Sequence, residues 1–151
     1  MNPLKILIAE DNPDDLFLVR QAFNKAEVTG HIQVVVDGAE ALAYLNGEGA
    51  YADRDQYPFP DVLLLDLNMP GIDGFEVLER LRQDPLRARL IIHVLTTSSR
   101  ERDIQRVYSL GANSYVLKPS RMDELVAFAA ALREWHRFVC LPGLPCQEAL
   151  A

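Results

Sequence analysis

Cysteine is scarce: Cys140 and Cys146, both near the C-terminal end, are the only two thiols in 151 residues. They do not make a disulfide framework, and without neighbouring histidines they do not make a zinc site, so they read as reduced cytosolic thiols. A surplus of positive charge is also missing. The net charge is −7, which argues against a general nucleic-acid binder, and Arg80-Leu81-Arg82 and Arg87-Ala88-Arg89 read as solvated helix faces. No apolar stretch approaches the roughly 20 residues a membrane span needs, and Met1-Asn2-Pro3 leads straight into a strand pattern with no signal peptide. No two of His31, His93 and His136 have a convincing metal spacing, and each reads as structural or exposed.

What is present is an alternation of short apolar runs and helical patterns. The hydrophobic fraction of 49% and charged fraction of 25% are those of a globular protein of ordinary domain size. Strand patterns lie at Leu4–Ala9, Ile32–Val36, Val62–Leu65, Leu90–Leu95 and Asn113–Leu117. Leu16, Val19, Phe23 and Ala26 share one face of a first helix; Leu125, Phe128, Ala129, Leu132, His136 and Val139 share one face of a last helix, expected to stop near Leu141. A repeated β-α order implies an α/β fold with a five-stranded parallel sheet and helices on both sides. The expected organisation is a single domain over 1–151, with a core of about 4–140, a tail at 141–151 and no output domain.

Helix starts are marked by Asn12 before Pro13, and by the pairs Asp37/Glu40, Asp73/Glu76, Ser98/Glu101 and Ser120/Asp123, each a cap followed three residues later by an acid. The segment from Gly47 to Pro60, with Tyr51, Tyr57 and Phe59, reads as a long surface loop that packs either on a partner or on its own domain.

Chemistry concentrates where the strands end. Glu10 and Asp11 follow the first strand, Asp66 the third, Thr96 ends the fourth and Lys118 follows the fifth. In open parallel sheets that edge is where ligands bind. Three carboxylates there repel one another, and a hard divalent cation such as Mg²⁺ would balance them. A carboxylate can attack phosphorus, while a hydroxyl and an ammonium can hold phosphoryl oxygens, so the set suits phosphoryl transfer. A Lys118–Pro119 bond is open to either peptide isomer. A small Mg²⁺-dependent phosphohydrolase would use the same residues, but Asn68 stands where its acid–base carboxylate would be expected. A never-phosphorylated adaptor is the other alternative, and the intact set of Asp66, Thr96 and Lys118 argues against it.

The segments Ile8–Asn12, Leu64–Gly74, Leu95–Ser98 and Gly111–Pro119, with Thr96 thirty and Lys118 fifty-two residues past Asp66, resemble a response-regulator receiver domain of two-component signalling. That resemblance implies a doubly wound, flavodoxin-like (βα)5 fold and a phospho-acceptor signalling protein rather than an enzyme. By it, Asp66 would be the phospho-acceptor. Asp11, Asp66 and the backbone carbonyl of Asn68 would hold Mg²⁺ or Mn²⁺ directly, and Glu10, standing where most receivers carry Asp, would reach the metal through water. Thr96 and Lys118 would contact the phosphoryl group, Tyr115 would switch with Thr96, and Asn68 and Ser98 would tune dephosphorylation. The long loop, Leu95–Ser99, Ala112–Tyr115 and the Trp135-bearing last helix are similar to stand-alone regulators paired with bacterial phytochrome histidine kinases. This implies a phytochrome-type kinase as partner and a homodimer through the fourth and fifth helices and fifth strand; a cytoplasmic setting with no nucleic acid or membrane is the expectation from the thiols, the charge and the lack of a long apolar stretch.

Overall fold

The computed structural model describes residues 3–142; Cys146 and the tail beyond Pro142 lie outside them. The five strands are β1 (Leu4–Ala9), β2 (Gly30–Val35), β3 (Val62–Leu65), β4 (Ile91–Thr96) and β5 (Ser114–Leu117). The helices are α1 (Pro13–Lys25), α2 (Gly38–Asn46), α3 (Gly74–Gln83), α4 (Glu101–Ser109) and α5 (Met122–Phe138). All pairings are parallel, in the order β2-β1-β3-β4-β5. The order reverses direction at β1, which leaves a crevice beyond the carboxyl ends of β1 and β3.

Strand side chains alternate between two cores. Ile6, Ile8, Val62 and Leu64 join Val19, Phe23, Leu125 and Leu132 on the side of α1 and α5. Leu7, Ala9, Leu63 and Leu65 join Leu45, Val77, Leu78 and Val107 on the side of α2, α3 and α4. The ladder runs one residue past the assigned strands: Glu10 donates its N–H to Val35 O (3.0 Å), Asp66 to Ala9 O (3.1 Å) and Lys118 to Thr96 O (2.8 Å). The alternation therefore carries Glu10 after Ile8, Asp66 after Leu64 and Lys118 after Val116 onto the α1–α5 side. Thr96 and Tyr115 fall on the opposite side, with Val94.

Asn12, Asp37 and Asp73 cap α1, α2 and α3 as predicted. Ser98 and Ser120 do not cap. The cap positions of α4 and α5 are Arg100 and Arg121, neither with a side-chain cap bond. Ser98 Oγ instead donates to Asp103 (2.7 Å), and the Arg121 guanidinium takes Asp123 (2.6 Å). The last helix stops at Phe138, three residues short of the expected end. The loop after α2 packs on its own domain. Tyr44, Tyr51 and Tyr57 form an aromatic cluster, Phe59 is buried, and Arg54 donates to the carbonyls of Tyr44, Leu45 and Tyr57, satisfying the carboxyl end of α2.

His93 on β4 contacts Ser114 Oγ through Nδ1 (2.6 Å) and sets its ring edge-on to Trp135 of α5, at a centroid distance of 5.5 Å. Burial holds its pKa below the usual histidine value. The unfolded chain then binds a proton that the folded chain resists, so this residue costs stability as pH falls below about 6.5. Urea midpoints of the wild type should drop more between pH 7.5 and 5.5 than those of His93→Gln; parallel losses would place the acid sensitivity elsewhere.

Candidate functional site

Among the described residues, the polar or charged side chains that are buried are Glu10, Asp66 and Thr96. A buried charge persists only when paired or bound to a metal, so their convergence on one strand edge marks the site. Glu10, Asp11 and Asp66 bring carboxylate oxygens within 4.8 Å of one another. Asp11 is exposed and opens the cluster to solvent. An all-oxygen set with one open side fits Mg²⁺ or Mn²⁺, which keep several waters and take one or two protein carboxylates. The Asn68 N–H points at Asp66 Oδ1 (3.4 Å), and its side chain lies exposed beside the cluster.

Lys118 is the counter-charge. Its ammonium lies 2.5 Å from Glu10 Oε2, 3.3 Å from Asp66 Oδ2 and 2.9 Å from Asp15 Oδ2. Burial pulls its pKa down, but contacts with Glu10 and Asp15 and the charge of Asp66 more than reverse that, so the group stays protonated. The Glu10 pKa is raised as well, here by burial itself, to about 6, and the bonds from Lys118 and the Asn12 N–H only partly offset this. Glutamate suits the position because its length lets Oε1 accept from Asn12 N (3.0 Å) while Oε2 meets Lys118. The Lys118–Pro119 bond is trans, as are the other peptide bonds of the described residues.

Thr96 closes β4, fully buried, with its hydroxyl oxygen near the Ser98 N–H (3.5 Å). Ser98 ties this loop to the neighbouring strand: its carbonyl accepts the Tyr115 hydroxyl (2.7 Å). Burial raises the Tyr115 pKa even though the Ser98 bond opposes it, so the phenol remains a donor. Thr96, Ser98 and Tyr115 are thus mechanically connected, one bond apart along the edge. Glu10, Asp11, Asp66, Asn68, Thr96, Ser98 and Lys118 lie at or just past the strand ends, while Tyr115 sits earlier on β5 and reaches that edge through its hydroxyl. Asp15 was not anticipated. An acid in a first helical turn reads as a partner of the helix dipole; the available signal was its place in the first turn of α1, directly after the acidic end of β1.

The family description "Response regulator receiver domain" matches residues 6–130. The response regulator Rcp1 of Synechocystis is 35% identical over 144 residues, covering 94% of this chain and 96% of its own. Its Mn(2+)-bound crystal structure superposes with a TM-score of 0.81 at 34% identity, covering 93% of this chain and 100% of that one. The phosphorylated cyanobacterial phytochrome response regulator RcpA gives 0.83 at 38% identity, and the response regulator RPA3017 in red light signalling of R. palustris gives 0.87 at 35%; each comparison covers 93% of this chain and 99% of the other. The chain belongs to the response regulator receiver family. The receiver is accordingly a phospho-acceptor signalling module, not an enzyme of many turnovers, and its sheet order and acidic cluster are those the resemblance implied. No helix among its described residues is long and apolar enough to cross a membrane.

Proposed function

We propose that this receiver accepts a phosphoryl group on Asp66 from a phosphohistidine of a phytochrome-type sensor kinase, and that residues 4–140 act as one switching unit. The observation that carries this is the placement of Asp66: buried at a strand end, within 4.8 Å of two further carboxylates and in contact with the one lysine of the rim. In the transfer, an Asp66 oxygen forms a bond to phosphorus as the P–N bond breaks, and the imidazole leaves. Lys118 redirects an N–H to the phosphoryl oxygens, and Thr96 turns its hydroxyl to them. Glu10, Asp11, Asp66 and the Asn68 carbonyl would hold Mg²⁺, which when bound neutralises charge on the transferring group. Movement of Thr96 carries Ser98 and Tyr115 with it, and the surface of α4 and β5 changes. Asn68 and Ser98 flank the site where water would approach and set how long the phosphoryl group lasts.

Support for the kinase class comes from RcpA and RPA3017, described as a phytochrome response regulator and as acting in red light signalling. A cytoplasmic setting and a homodimer through α4, β5 and α5 belong to the same proposal; Tyr108 and Leu117, about half exposed on that face, supply apolar area for it. The phosphohydrolase alternative is disfavoured because Asn68 supplies an amide where a proton donor is needed. The test is labelling with acetyl phosphate and Mg²⁺. Intact-mass analysis should show one added phosphoryl group, localised to Asp66, removed by hydroxylamine and prevented by chelation of the metal. A label placed on any other residue would end the proposal.

A further inference from the structure

Lys118 has three N–H donors and three carboxylate neighbours, and the three are not equivalent. Glu10 and Asp66 belong to the acidic set suited to a metal, and Asp66 is the group to be phosphorylated; Asp15 belongs to neither. When metal and phosphoryl group arrive, Glu10 and Asp66 acquire other partners. The contact to Asp15 is the one that need not change.

The location of Asp15 is also fixed independently of the lysine. The side-chain oxygen of Asn12 accepts the N–H groups of Asp14 (2.9 Å) and Asp15 (3.2 Å), which pins the first turn of α1. A carboxylate in that turn is favoured by the helix dipole. Lys118, by contrast, carries its charge on a flexible four-carbon stem that has no geometry of its own. Its side chain is 11% exposed and that of Asp15 36%, so Asp15 grips the ammonium from the solvent side while Glu10 and Asp66 meet it from the inner side.

We propose that Asp15 is a positioning residue: it anchors the Lys118 ammonium so that the remaining N–H groups face the phosphoryl oxygens on Asp66. This rests on the phospho-acceptor reading and adds a residue to it. A plain role in stabilising α1, or a general field effect of one more negative charge, would act on the site whether or not Lys118 is present. A positioning role acts only through the lysine, and a mutant cycle separates the two.

Beryllofluoride, a phosphoryl mimic, is titrated calorimetrically with saturating Mg²⁺ into the full chain and into Asp15→Ala, Asp15→Asn, Lys118→Ala and the Asp15→Ala/Lys118→Ala double variant. Asp15→Ala should weaken binding about fivefold, the scale of a partly exposed ion pair. Asp15→Asn, which keeps an acceptor, should fall between it and the wild type. In the Lys118→Ala background, Asp15→Ala should have no further effect. If Lys118→Ala binds too weakly to titrate, hydroxylamine-sensitive labelling by acetyl phosphate provides the same four-way comparison. An unchanged affinity in Asp15→Ala, or an equal loss in both backgrounds, overturns the role of Asp15 alone. A wild-type chain that binds no beryllofluoride in Mg²⁺ overturns the phospho-acceptor reading itself.

Discussion

Asp66→Asn should abolish hydroxylamine-sensitive labelling by acetyl phosphate, lowering it at least about a thousandfold, the scale expected when a nucleophile is removed. The fold should survive the change almost untouched, and the reason lies in the local charge balance. Asp66 is attracted to Lys118 at 3.3 Å and repelled by Glu10 and Asp11 at 4.8 Å or less. At an effective dielectric near 20 the attraction is about 5 kcal/mol and each repulsion at least about 3 kcal/mol, before water at exposed Asp11 weakens its share. One attraction against two repulsions leaves little net contribution. The amide oxygen of asparagine can still accept from Asn68 N. The unfolding free energy of Asp66→Asn from urea titration should therefore stay within about 1 kcal/mol of the wild type. A variant that labels as well as the wild type removes residue 66 from the chemistry; one that unfolds would show that the cluster holds the domain together rather than waiting for a ligand.

The strand ends were legible in the sequence because both periodicity and polarity change there. Leu4–Ala9, apolar but for Lys5, and Val62–Leu65 are apolar runs broken by acids, and their limits coincide with β1 and β3. β2 starts earlier than its apolar pattern, because Gly30 and His31 pair by backbone with Leu4 and Lys5 and need no apolar side chain to do so. Caps were legible when the capping residue had a single local option, as at Asp37 and Asp73. Ser98 had a competing partner in Asp103, and its hydroxyl went there. The contacts around Lys118 were the least legible. Placing Glu10, Asp66 and Lys118 at one edge follows from topology, but that all three side chains share a face follows from the parity of each strand end. Asp15 joins them from a helix one crossover away. Such a contact depends on where α1 lies against β5, and local pattern does not encode that.

Gly74→Ala should cost about 1–3 kcal/mol of stability and also weaken Mg²⁺ binding, although the residue touches no ligand. Gly74 opens α3 and donates its N–H to Leu67 O (3.0 Å), which brings the helix start against the strand end that carries Asp66. An added methyl carbon there would lie 2.3 Å from the carbonyl oxygen of Asp66 and 2.7 Å from Leu67 Cα. Both are backbone atoms, so no rotamer change can relieve the overlap; either α3 retreats or the peptide after Asp66 turns. The second response moves the Asp66 carboxylate and the Asn68 carbonyl relative to Glu10 and Asp11. Gly71, three residues earlier, is the control. Its φ of 72° is left-handed, but a methyl carbon there meets nothing within 4 Å. Gly71→Ala should cost only the local backbone strain, about 1–2 kcal/mol, and leave Mg²⁺ affinity unchanged. Urea unfolding and Mg²⁺ titration of the two variants decide the matter. Equal effects on metal binding would mean that the whole turn, and not the contact between Gly74 and the Asp66 carbonyl, sets the geometry of the acidic cluster.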